Sequence, residues 1–232
     1  MKLIGQLLFF LCVSFLASGC TQNTQSLVDS FDLALFGPES STISKKTINE
    51  LPYASIIVTQ ENNPPALMVL AWAEKQSYIF PADFPALKYL SANNEMIVTY
   101  SGRIIKTINL LEHNLSAIHS QQPDPLTLGL HRANTPHHWQ YEISWQPGYH
   151  VRYPAQSSFI PEGLVDKKLL FDTQRLLHVR EEVSIPVINH HYTNHYWLNP
   201  NDGQVVASEQ TPAPGMARFK LVVAKPFAGI YK

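Results

Sequence analysis

The chain has 232 residues, and 17 Lys plus Arg against 18 Asp plus Glu give it a formal net charge of -1. That balance excludes a basic, groove-tracking protein, so no nucleic-acid partner is expected. Apolar residues make up 45% and charged residues only 15%, which excludes a disordered chain, while 17 prolines against 10 glycines argue against long uninterrupted helices.

Residues 1–19 read as a bacterial secretion signal: Lys2, an apolar run from Leu3 to Leu16, then the small residues Ala17, Ser18 and Gly19. The run is shorter than the ~18–20 residues that span a bilayer, so a permanent transmembrane helix is the weaker reading. Cys20 follows directly, and the Ala17-Ser18-Gly19-Cys20 sequence resembles the lipobox at which a bacterial lipoprotein is cut and diacylated, with Ala17 where Leu is commonest. Cys20 is therefore the expected lipid-attachment residue, and a doubly acylated anchor holds a protein stably at a bilayer without spanning it. An ordinary signal peptide with an incidental Cys20 is the alternative. Removal of residues 1–19 takes Cys12 with it, so no intramolecular disulfide is available to the mature chain. Thr21 stands where an Asp would signal inner-membrane retention in enterobacterial lipoproteins. That points to the outer membrane, facing the periplasm.

Residues 20–26 form a polar, lipidated tether, and residues 27–232 are expected to form a single β-rich domain. Leu27, Val28, Phe31, Leu35 and Phe36 recur at helical spacing between Ser26 and Gly37-Pro38, and a second helical turn is expected over 44–50. Strands follow at 54–59, 66–73, 95–100 and 103–108, with a short helix over 83–90 and a hairpin at Ser101-Gly102. From His137 to Trp145 the chain alternates, with Trp139, Tyr141, Ile143 and Trp145 on one face of a strand. Further strands are read at 149–153, 168–171, 176–185, 187–198, 204–210 and 217–224, with a turn at 199–203. Successive strands with short turns imply a mainly β, α+β fold: a large curled antiparallel sheet or half-barrel with helices packed on one side.

Chemistry leaves few marks. All ten histidines lie between His113 and His195, but His190 and His191 point to opposite faces of a strand, and His191 and His195 stand roughly 13 Å apart along it. No His-Glu-x-x-His run exists and Cys20 is committed to the anchor, so neither a metal nor another cofactor is expected. The chain has no Gly-x-Ser-x-Gly elbow, phosphate loop or marked carboxylate pair, and no enzyme is expected. Trp139, Tyr141 and Trp145, with Tyr149 and Tyr153, admit two readings. Rings on one strand face usually bury as core, yet stacked rings also serve as a platform for sugars.

Three stretches together resemble the YjbF/GfcB family of group 4 capsule polysaccharide lipoproteins. They are Leu67 to Trp72, Ser101 to Thr107, and Tyr196-Trp197 followed by Gly203 to Val206, with Gln210 and Pro212. The likeness runs nearly the length of the mature chain. It implies a non-enzymatic outer-membrane lipoprotein that assists exopolysaccharide or capsule export or assembly by binding a partner export protein or a glycan. Trp139, Tyr141, Trp145 and Arg103 are the candidate contacts, although Arg103 and Lys106, on opposite faces, read more simply as rim charges. From a different class, the curled sheet would be a periplasmic carrier for an acyl chain or other amphiphile.

Overall fold

A computed structural model describes residues 44–61, 63–75 and 84–229. The signal segment, Cys20, the tether and the helix expected between Ser26 and Phe36 lie outside the described residues. Helix α1, Lys45–Glu50, starts where the Ser44 hydroxyl accepts the Thr47 amide at 3.1 Å. Twelve strands follow: β1 Ser55–Gln60, β2 Ala66–Lys75, β3 Pro85–Leu90, β4 Met96–Tyr100, β5 Arg103–Ile108, β6 Asn114–His119, β7 His138–Gln146, β8 His150–Lys168, β9 Thr173–Ile185, β10 His190–Leu198, β11 Val205–Gln210 and β12 Phe219–Lys225. A four-residue helix α2, Pro125–Leu128, lies between β6 and β7, capped by the Asp124 carboxylate.

All twelve strands join one antiparallel sheet in the order β5-β4-β3-β2-β1-β12-β11-β10-β9-β8-β7-β6. The sheet curls until β5 and β6 face each other and nearly close a barrel. Side chains bridge this seam: the Leu115 amide donates to the Thr107 hydroxyl at 2.9 Å, and that hydroxyl donates to Asn114 at 3.2 Å. Inside the curl lies one apolar cluster drawn from strands along the whole sheet, with Ile56, Met68, Tyr89, Ile104, Leu115, Trp139, Phe159, Tyr196 and Phe219 among its members. A small second cluster, Leu176, Trp197 and Ala207, lies apart from it.

The mainly β fold and the curled antiparallel sheet match the sequence reading; a layer of helices on one side is not seen among the described residues. Leu126 of α2 belongs to the interior cluster, so this helix is part of the filling. The helix expected over 83–90 is strand β3. Ala, Leu and Lys favour a helix locally, but β2 and β4 offer ladders on both sides of the segment, and this pairing overrides propensity. Instead of a short strand over 149–153 and another over 168–171, β8 runs unbroken through Pro154, Pro161 and Gly163 to Lys168, and residues 169–172 turn the chain. The expected strand over 187–198 begins with a 3-10 turn, Pro186–Ile188, and β6 was not anticipated.

Strand β7 has the alternation read from its sequence, with Trp139, Tyr141, Ile143 and Trp145 buried. Trp145 stacks on His150 at 4.4 Å and meets the Tyr153 ring edge-on at 4.9 Å. Trp145→Ala is expected to cost about 3–5 kcal/mol in denaturant unfolding, as other large-to-small core changes do. Gln140→Ala, on the exposed face of the same strand, should stay within about 0.5 kcal/mol.

Candidate functional site

Among the described residues, three charged side chains, Arg103, Asp124 and Glu181, are buried inside the curl. Arg103 is the first residue of β5, and the hairpin at Ser101-Gly102 aims its side chain inward. Gly102 has φ +86 there, and a Cβ would come within 2.4 Å of the Val205 Cβ, so both backbone and space call for glycine. The Arg103 guanidinium pairs with Asp124, the N-cap of α2, and with Glu181 on β9, donating to the two Glu181 oxygens at 3.0 and 2.9 Å. All three side chains are at most 4% exposed. Three aromatic faces surround the cation: Trp139 at 4.8 Å, Tyr196 at 5.6 Å and Phe159 at 5.8 Å from ring centroid to guanidinium carbon.

Glu181 also accepts hydrogen bonds from Ser157 at 2.6 Å, Asn194 at 2.8 Å and the Tyr196 hydroxyl at 3.0 Å. Gln210 joins β11 to the hairpin: its amide donates to the Gly102 carbonyl at 2.8 Å and its oxygen accepts the Ile104 amide at 3.0 Å. Burial pushes the Glu181 carboxyl up, but Arg103 and the hydrogen bonds outweigh it and hold Glu181 below the usual carboxylate range. At Asp124 burial prevails over Arg103, and its carboxyl is raised. Every charge in this network is used internally, which is the condition under which ions are tolerated in a core.

Trp139, Tyr141, Trp145 and Arg103 are thus core residues. A contact through open rings is not available at the surface, and Arg103 is no rim charge: it is 3% exposed, while Lys106 faces solvent. At the Arg103 end of the sheet, a cavity of about 400 Å³ opens among Leu87, Tyr89, Leu126, Val205 and Phe227, with His131 and Asp202 among its polar lining.

A second cluster lies on the outer face of β8, β9 and β10. His178 Nδ1 is 3.0 Å from Glu162 Oε2, and His178 Nε2 is 3.1 Å from His195 Nδ1. Arg180 donates to Glu162 Oε1 at 2.6 Å, and the Trp197 ring lies parallel to His178 at 4.9 Å. The Arg180 bond is the main reason that Glu162 lies below the usual carboxylate range. Burial lowers His178, helped by Lys167 and opposed by Glu162; burial and then His178 lower His195. Both rings are therefore neutral near pH 7, with lone pairs to offer. Sequence reasoning saw no converging ligands because it followed a single strand. These three come from three neighbouring strands, and only His195 belonged to the histidine group singled out.

An antiparallel, barrel-like sheet closed around an internal ion cluster defines the class of protein. The chain belongs to the family described as "Group 4 capsule polysaccharide lipoprotein gfcB, YjbF", whose model matches residues 28–223. It is 29% identical over 213 residues to the uncharacterized lipoprotein GfcB of Escherichia coli K12, covering 91% of this chain and 94% of that one. It is 28% identical over 204 residues to the uncharacterized lipoprotein YjbF of the same organism, covering 85% and 87%. The crystal structure of the hypothetical lipoprotein YmcC from E. coli K12 has the same fold, with TM-score 0.72 at 23% identity over 90% of this chain and 98% of that one. Two of the three stretches that carried the resemblance meet at the internal network, through Gly102 and Arg103 on one side and Tyr196 and Gln210 on the other.

Arg103→Met would leave two buried carboxylates without a cation, an expected loss of about 3–5 kcal/mol at pH 7. In that variant both carboxyls titrate above their unfolded values. Its stability is then greatest below the unfolded carboxylate pKa of about 4 and falls as pH rises through the higher folded values. In the parent, the lowered Glu181 contributes stability above the unfolded value and loses it as pH falls through the folded one. The variant's trend narrows the gap between parent and variant as pH is lowered toward 4, offset in part by the parent's own raised Asp124, and the loss at Glu181 narrows it further below 4, which melts at a series of pH values would measure.

Proposed function

We propose that this chain is an outer-membrane lipoprotein, anchored through an acylated Cys20 and facing the periplasm, that assists exopolysaccharide or capsule export or assembly. It does so by binding a partner protein or a glycan, without catalysing a reaction. The observation that carries this reading is the family match over residues 28–223. The internal network supports a non-catalytic role, since its ions are enclosed by aromatic rings and bonded to one another. Binding then falls to the exterior. The sheet order puts the β5–β6, β7–β8 and β9–β10 connections at one end, and Leu111, Tyr149 and Val187 project there with exposures of 100%, 99% and 68%. A second reading, a carrier for an acyl chain, draws on the cavity of about 400 Å³ at the opposite end.

Deletion of the gene should reduce surface polysaccharide, and the wild-type chain should restore it. The Cys20→Ser chain should appear in the soluble periplasmic fraction and fail to restore it; sedimentation of this variant with the outer membrane at unchanged yield would refute the anchor. A Leu111→Ser, Tyr149→Ser, Val187→Ser chain should remain anchored and folded yet complement poorly. Native mass spectrometry of the purified protein separates the two readings, because a co-purified amphiphile in the folded domain supports the carrier.

A further inference from the structure

We propose that Glu162, His178 and His195 form a zinc-binding site on the outer face of the sheet, in place of the metal-free surface expected from the sequence. One donor atom from each lies within 4.8 Å of the others. His178 is the shared member, with a carboxylate oxygen 3.0 Å from one ring nitrogen and an imidazole nitrogen 3.1 Å from the other. Neighbouring ligands of a tetrahedral ion with bonds of about 2.0–2.1 Å stand about 3.3 Å apart, so both separations are already near that of a coordinated pair. A bound ion takes one nitrogen of His178 together with the residue already beside that nitrogen, and the residue on the other nitrogen gives up its hydrogen bond to become the third ligand. The third ligand closes in from within 4.8 Å.

The backbone has a feature suited to this site. The β8–β9 register shifts between Pro161 and Gly163: Pro161 pairs with Val179 and Gly163 with His178, leaving Glu162 as the extra residue. Such a bulge re-aims a side chain, and here Glu162 stands beside His178 rather than one step along the ladder. Gly163 holds φ +95 opposite His178, and nothing lies within 4 Å of where its Cβ would be. The approach to the ring is thus left open.

The surroundings hold the ligands without filling the position. Arg180 takes only Oε1 of Glu162, leaving Oε2 toward His178. The parallel Trp197 ring restrains His178, and Lys167 is drawn aside onto the Trp197 face, 3.3 Å from its centroid. Two imidazoles and one carboxylate favour zinc over the oxygen-preferring magnesium and calcium. With three protein ligands, a fourth position remains for water or a ligand atom from solvent.

The test is titration of ZnCl₂ into the full chain in detergent, stripped with EDTA beforehand, read by calorimetry and by competition with a chromophoric chelator. One Zn²⁺ per chain is expected. Glu162→Gln, His178→Gln and His195→Gln should each weaken binding by about 10-fold or more, the effect that even outer-shell partners have. His191→Gln, on the same strand as His195 but outside the cluster, should leave it unchanged. Circular dichroism checks that the variants are folded, and the visible spectrum of the Co²⁺-loaded parent reads tetrahedral coordination without any substitution. A parent chain without stoichiometric Zn²⁺ binding, or binding that survives all three substitutions or depends on His191, overturns the proposal.

Discussion

The structure depends on Arg103 being held between Asp124 and Glu181. A nearly closed sheet of twelve strands encloses a wide interior, and such an interior must be filled by large side chains, by inserted chain or by water. This chain fills it with aromatic rings and the segment around α2. Arg103 binds the filling to the wall. Its guanidinium ties the start of β5 to the N-cap of α2 and to the middle of β9, while its planar faces lie against Trp139, Tyr196 and Phe159. An apolar residue in its place would pack against the rings but would leave both carboxylates buried without a partner.

The two faces of the sheet thus carry different kinds of polar chemistry. Inside, each ionised group is enclosed and assigned to a neighbour, so the interior specifies which strands meet. Outside, Glu162, His178 and His195 keep access to solvent and share only a short chain of hydrogen bonds. Period-two alternation makes the separation possible. Glu181 and Arg180 are adjacent in sequence, yet one belongs to the interior network and the other to the outer cluster.

How much of this was legible follows from how local each signal was. Strand β7 was readable because its four apolar residues alternate without interruption, and the Ser101-Gly102 hairpin because a glycine between two β-rich runs has little other use. Strand β8 was obscured by Pro154, Pro161 and Gly163, which look like breaks, although the structure accommodates Pro161 and Gly163 around a bulge. Segment 83–90 was misread because its composition suits a helix and only pairing on both edges makes it a strand. Asp124, Glu181 and Arg103 are 21 and 57 residues apart along the chain order Arg103, Asp124, Glu181. No spacing rule joins them; the two acids and the base become partners only once the sheet has closed.

The strand order places β1 and β12, the first and last of the sheet, beside each other in its middle, while the seam falls between β5 and β6, which are consecutive in the chain. The chain therefore enters the sheet at a strand with a ladder on each side, to β2 and to β12. In mechanical terms, a load applied to the fold through residue 44 falls on two ladders together. Pulled along its length, β1 must shear both at once, whereas an edge strand such as β5 or β6 can be peeled one hydrogen bond at a time. The weak line of the barrel thus lies away from the strand at which the described chain enters the sheet.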